Sequence, residues 1–147
     1  MKRKFLFIVI FIAIAGFLFW YFLGLTFFPK NIQEEIMEGT VIKKGSFIPI
    51  DSIHKGSGTA TIVQSGENYY LNLENFQVTN GPDLYVYLSK NDDITNEDLL
   101  GEFKEISVLK GNSGNQIYEL TQSQAEFSSV VIWCKRFGVL FSSATLE

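Results

Sequence analysis

One cysteine and one histidine in 147 residues remove most metal and redox designs at once. A blue-copper site needs two histidines and a cysteine. Structural zinc held by Cys and His needs four ligands, and two exist. Covalent c-type haem needs C-x-x-C-H and a thioredoxin-like centre needs C-x-x-C; a lone cysteine supplies neither. No Gly-rich loop follows a strand and opens a helix, which excludes the common nucleotide-binding designs. Positive charge is scarce as well. Three of the 12 Lys+Arg sit at positions 2–4, whereas all 16 Asp+Glu come after residue 33. An acidic domain lacks the clustered cations that nucleic acid requires.

What is present first is a greasy run. Phe5–Phe28 carries no charge, and only Gly16, Gly24 and Thr26 in it are not apolar. As a helix it would be about 36 Å long, enough for a hydrocarbon core of about 30 Å. Trp20, Tyr21, Phe27 and Phe28 crowd its far end, where aromatic rings favour the interface. Lys2, Arg3 and Lys4 precede it, so residues 1–4 form a cytoplasmic basic tail and the rest emerges outside. Ala13-Ile14-Ala15 has the small residues of a signal-peptide cleavage site. Cutting there would leave a second apolar stretch, Gly16 to Phe28, at the new terminus, so an uncleaved anchor over 5–28 is the expectation. The lipid bilayer is then the first partner, and the domain is extracytoplasmic at the cell membrane.

Residues 29–43 read as a juxtamembrane linker. Ile32, Ile36 and Met37 among Glu34, Glu35 and Glu38 suit a short amphipathic helix or a spacer. From Lys44 the pattern changes to short alternating runs separated by Gly, Asn and Asp. Gly58–Gln64 and Tyr69–Phe76 flank the turn Ser65–Asn68, and Tyr69, Leu71 and Leu73 share one face, which predicts a hairpin. Leu84–Ser89 follows the turn Asn80–Asp83. Asn91–Leu100 reads as a helix-like opening or a polar loop. Phe103–Lys110, Ile117–Leu120, Val130–Lys135 and Val139–Leu146 complete the set. Seven or eight short strands predict an all-β domain over 44–147, an antiparallel sandwich or barrel of roughly 100 residues.

Cys134 is the residue with chemistry to offer. In an extended run Val130, Ile132, Cys134 and Arg136 project from one face and Val131, Trp133 and Lys135 from the other. The thiol then sits where an apolar strand turns cationic, and a nearby cation favours the thiolate. The competing reading makes it a small buried hydrophobe, a common fate of free cysteine. His54, in Asp51-Ser52-Ile53-His54-Lys55-Gly56, is either a solvated turn histidine or a ligand or proton partner for Cys134. Asp83, after Gly81-Pro82, is a turn-stabilising carboxylate or a ligand. Tyr69, Tyr70, Tyr85, Tyr87 and Trp133 either belong to the core or floor a ligand pocket. The acids Asp92, Asp93, Glu97 and Asp98 lack the Gly and the spacing of a calcium loop and read as solvated surface.

Five blocks in order resemble the DM13 domain: Gly45-Ser46-Phe47; Asp51 to Ala60 (DSIHKGSGTA); Leu73-Glu74-Asn75-Phe76 with Gly81 to Leu88 (GPDLYVYL); Leu109 to Gln116 (LKGNSGNQ); and Val131 to Phe137 (VIWCKRF). The resemblance implies a β-sandwich-like extracellular module, found beside DOMON domains in animal proteins and alone behind an anchor in bacteria. It further implies redox or electron transfer, through a cysteine acting as a bare thiol or holding a prosthetic group such as haem. That cysteine corresponds to Cys134. No DOMON partner is present in this chain, so an electron donor or acceptor would act in trans. The leading expectation is therefore a membrane-tethered redox or cofactor-binding module, not a stand-alone enzyme. Cys134 is its centre, Arg136 or Lys135 tunes the thiolate, His54 is a second ligand, and Trp133 and Asp83 give support. A rival expectation is a non-catalytic binding or adhesion module for glycan or protein, with a structural cysteine. A third is a disulfide-linked dimer through Cys134.

Overall fold

The structure, a computed structural model, describes residues 2–27 and 29–147 and, within the first helix, the side chains of residues 7–21. Helix α1 runs Lys2–Phe27. Every side chain described in it is exposed, Phe11 at 73% and Trp20 at 77%. Among the described residues no helix is long and apolar enough to cross a membrane. Parts of the predicted anchor, the side chains of Lys2, Arg3 and Lys4 before it and of Phe27 and Phe28 at its end, lie outside the described residues.

The remainder is β. Strands β1 (Asn31–Gln33), β2 (Thr40–Ser46), β4 (Gly56–Ser65), β5 (Asn68–Val78) and β8 (Ser113–Leu120) make one sheet in the order β1-β8-β5-β4-β2. Strands β3 (Ile48–Pro49), β6 (Leu84–Ser89), β7 (Phe103–Val108), β9 (Ser129–Cys134) and β10 (Val139–Thr145) make the second, ordered β3-β10-β9-β6-β7. One short helix, α2 (Gln122–Ala125), precedes β9 behind a capping box from Thr121 and Gln124. Asn91–Leu100 is a loop with a single 3₁₀ turn over Glu97–Leu99.

Alternation in sequence becomes two layers of burial. Ile62, Leu71 and Leu73 from the first sheet pack with Val86, Leu88, Val130 and Ile132 from the second to form the core. A smaller cluster lies on the outer face of the second sheet, where Ile94 and Leu100 of the 90–102 loop cover Tyr87, Val131 and Leu140. The β4–β5 pairing shifts register by one residue at a bulge around Gly58, whose φ is +102°.

Residues 31–39 depart from the spacer or short helix that their sequence suggests. β1 pairs parallel with β8, Asn31 opposite Ser113 and Gln33 opposite Asn115. Beyond it the Asn72 side chain donates to the Met37 carbonyl at 2.9 Å and accepts from the Met37 N–H at 3.3 Å. Asn72 therefore stands in for a neighbouring strand, which is why this outward residue of β5 is only 1% exposed. The segment is extended because partners far along the chain satisfy its backbone, and local spacing does not reveal them.

Candidate functional site

Cys134 ends β9, opposite Leu84 of β6 and Val139 of β10. The predicted alternation holds up to this point: Val130, Ile132 and Cys134 face the core, and all three are fully buried. Beyond the cysteine it fails. Residues 135–138 form a turn closed by the Gly138 N–H donating to the Cys134 carbonyl at 2.9 Å, so Arg136 leaves the strand and is exposed. Lys135 points the other way, its ammonium 2.8 Å from Glu105 and 4.7 Å from the centre of the Tyr85 ring. Its hydrogen bond to Glu105 raises its pKa, with that carboxylate's charge adding to the effect. The strand thus stops at Cys134: Arg136 lies in the exposed turn and Lys135 is engaged by Glu105.

His54 is held elsewhere. The Asp51 carboxylate accepts from the Ile53 and His54 N–H groups, both at 2.6 Å, and lies 2.7 Å from His54 Nδ1. Those bonds, the His54 N–H first, pull Asp51 down to about 2. The imidazole packs edge-on against Phe141, ring centres 4.5 Å apart, and makes no hydrogen bond to Cys134 among the described residues. Phe141 belongs to the same core cluster as Cys134, so contact between the loop and the sulfur's surroundings runs through an aromatic ring that sequence reading passed over.

Asp83 is half-buried, and its carbonyl accepts the Lys135 N–H at 3.0 Å. Asp83 helps to line a hollow of about 190 Å³ with Gly81, Leu84, Leu109, Gly111 and Asn112. Trp133 is half-buried on the outer face, stacked 6.3 Å from Tyr87, which stacks 5.0 Å from Phe103. Burial raises the Tyr87 pKa, and the nearby Glu105 charge adds to it. A larger hollow, about 640 Å³, lies at the other sheet between Glu34, Met37, Tyr70, Lys110 and Tyr118; Cys134 does not line it. Among the described residues no group of three or more His, Cys, Asp or Glu could hold a metal ion.

The motif Leu109–Gln116 acquires a structural reason. Gln116, fully buried, donates to the Gly111 carbonyl at 2.7 Å and accepts from the Tyr118 hydroxyl at 2.7 Å. That hydroxyl accepts the Lys110 N–H at 3.1 Å. The Lys110 ammonium meets both oxygens of Glu34, at 2.9 and 2.8 Å, and Glu34 also accepts the Ile117 N–H at 2.7 Å. Glu34 was invisible as a partner in the sequence because its lysine lies 76 residues away.

Burial works against ionisation of Glu34, but the Lys110 and Ile117 hydrogen bonds and the Lys110 charge outweigh it and hold the pKa below 4.5. A depressed carboxylate stabilises the fold above its unfolded value and loses that contribution as pH falls through the folded one. Hydrogen-exchange protection of the Ile117 amide, corrected for intrinsic exchange, is therefore expected to fall on acidification below about 4.5. Glu34→Gln should flatten that dependence; an unchanged curve would show that the pair does not secure the segment.

The blocks quoted from the sequence thus meet at one end of the sandwich. Gly81–Leu84 and Leu109–Asn112 enclose the small hollow, Leu84 sits opposite Cys134, and His54 covers Phe141. A family model described as electron transfer DM13 matches residues 48–146. No curated protein and no solved structure matches the chain.

Proposed function

The chain belongs to the DM13 family, and from that premise we propose that it is a membrane-tethered extracytoplasmic electron-transfer module centred on Cys134, acting with a redox partner in trans. One observation carries the reading: sequence blocks separated by tens of residues converge on the strand end that holds the single sulfur. Tethering is supported by the charge-free run Phe5–Phe28 behind Lys2, Arg3 and Lys4, and by the outward apolar side chains of α1. The same charge rule sets the N-terminus in the cytoplasm.

Haem does not fit this site. The sulfur is fully buried, and the adjoining hollow of about 190 Å³ falls short of the roughly 300–1,000 Å³ of ordinary ligand pockets. The chemistry therefore rests on the thiol itself, reached by local opening of the 135–138 turn. In the intact chain held in detergent, a maleimide is expected to alkylate Cys134 faster than the protein unfolds globally. Peroxide should convert the same thiol to a sulfenic acid. Modification only at the global unfolding rate would end the redox reading.

The seal around the sulfur favours a second reading, a recognition module with a structural cysteine. On that reading Cys134→Ser leaves partner binding intact, while Trp133→Ala and Tyr85→Ala on the outer face abolish it. Non-reducing gels test the disulfide-linked dimer directly.

A further inference from the structure

The end of the sandwich that holds Cys134 is also the end at which the chain enters the domain. The Lys30 carbonyl accepts the Asn112 N–H at 2.9 Å and the Ser113 N–H at 3.3 Å. Only residues 28 and 29 separate that clamp from the last residue of α1, a span of at most about 11 Å from Phe27 to Lys30. From Asn112 the hydrogen bonds continue around the same end. The Val78 N–H donates to Asn112, Thr79 to Lys55, Leu109 to Leu84, and Lys135 to Asp83. The 50–55 loop and the 135–138 turn therefore stand at the level where the chain enters the domain.

These two loops carry unusual side chains for an acidic protein. Phe137 is 67% exposed and Ile53 is 71% exposed. Arg136 and Lys55 are exposed beside them, with Lys30 at the entry. None of the three cations makes an ion pair among the described residues. Meanwhile Glu67, Asp92, Asp93, Glu102 and Glu126 lie in connections at the opposite strand ends. At the entry end Arg136, Lys55 and Lys30 stand with two bare apolar groups and outnumber the carboxylates Asp51 and Asp83, and Asp51 is engaged by His54 and its own loop.

We infer that this end rests on the bilayer, with Phe137 and Ile53 entering the headgroup–acyl boundary and Arg136, Lys55 and Lys30 meeting anionic lipid phosphates. The inference relies on the anchor proposed above. Amphipathic groups at that depth bind by apolar burial together with attraction to anionic lipid. A two-residue tether leaves these loops little room to be anywhere else. A protein partner at this end would have to displace the lipid headgroups first.

The test uses the full chain reconstituted in vesicles of phosphatidylcholine, with or without phosphatidylglycerol and with spin-labelled headgroups. Paramagnetic broadening is expected at the amides of Ile53 and Phe137 and not at those of Glu67 and Glu126, and it should strengthen with phosphatidylglycerol. Replacing Arg136 and Lys55 by Ser should weaken that lipid dependence, by about fivefold in surface partition per charge. Phe137→Ser should reduce the broadening at its own turn in both lipids. Equal, weak broadening at both ends in a vesicle-bound chain would overturn the inference and leave the anchor standing. A chain that does not insert into vesicles at all would defeat both.

Discussion

Gly58→Ala is expected to lower the melting temperature by on the order of 15 °C, or to prevent folding. Gly58 holds φ at +102°, where an alanine is strained, and its added Cβ would lie 2.7 Å from the Asn75 oxygen, 2.7 Å from the Phe76 Cα and 2.8 Å from the Glu74 oxygen. All three are backbone atoms of the neighbouring strand, so no side chain can rotate away. Strain of about 1–2 kcal/mol adds to overpacking of about 1–3 kcal/mol, against a typical total stability of about 5–15 kcal/mol. Gly66→Ala is the control. Gly66 also has positive φ, +64°, but nothing lies within 4 Å of its new Cβ, so it should cost only the strain. Melting followed by circular dichroism decides between them; equal losses would mean that the close approach of β4 and β5 at this bulge is unimportant.

Gln116→Leu carries the second large effect. Its two hydrogen bonds join the Gly111 carbonyl to the Tyr118 hydroxyl inside the protein. A leucine of similar size leaves the buried Gly111 carbonyl without this donor and the Tyr118 O–H without its acceptor, at about 1–3 kcal/mol each. Adding Tyr118→Phe removes one of the stranded groups, so the double variant should lose less than the sum of the singles. Urea denaturation of the four proteins measures that coupling. Additive losses would show that the network is not a unit. The same variants report on the Leu109–Asn112 loop, since Gln116 fixes its Gly111 and the Tyr118 hydroxyl fixes its Lys110.

Much of the β architecture could be read from the chain because the signals were local. Leu71 and Leu73 alternate with polar neighbours, and Ser65–Asn68 supplies a turn of the right length, so β4 and β5 were bound to pair. Val130, Ile132 and Cys134 likewise face inward, as the two-residue period requires. Residues 31–39 misled because Ile32, Ile36 and Met37 have helical spacing, while the partners that make them extended, Ser113–Asn115 and Asn72, are distant in sequence. The setting of Cys134 misled for a different reason. Periodicity carried Arg136 onto the sulfur's face, but the reversal after Cys134 breaks the period, and no residue type in Lys-Arg-Phe-Gly fixes where the strand stops. Phe141 as the neighbour of His54 needed three-dimensional proximity between β10 and the 50–55 loop.

The clamp on Lys30 also bears on how such a domain would be shed. A protease that releases a surface domain must draw several consecutive residues, stretched out, into its cleft. Between α1 and the edge of the first sheet this chain offers Phe28 and Pro29 before its backbone is engaged by Asn112 and Ser113. Cleavage would wait for β1 to peel from β8, and its rate would follow that fraying equilibrium. Resistance to such cleavage would then be governed by three residues of parallel pairing and one glutamate.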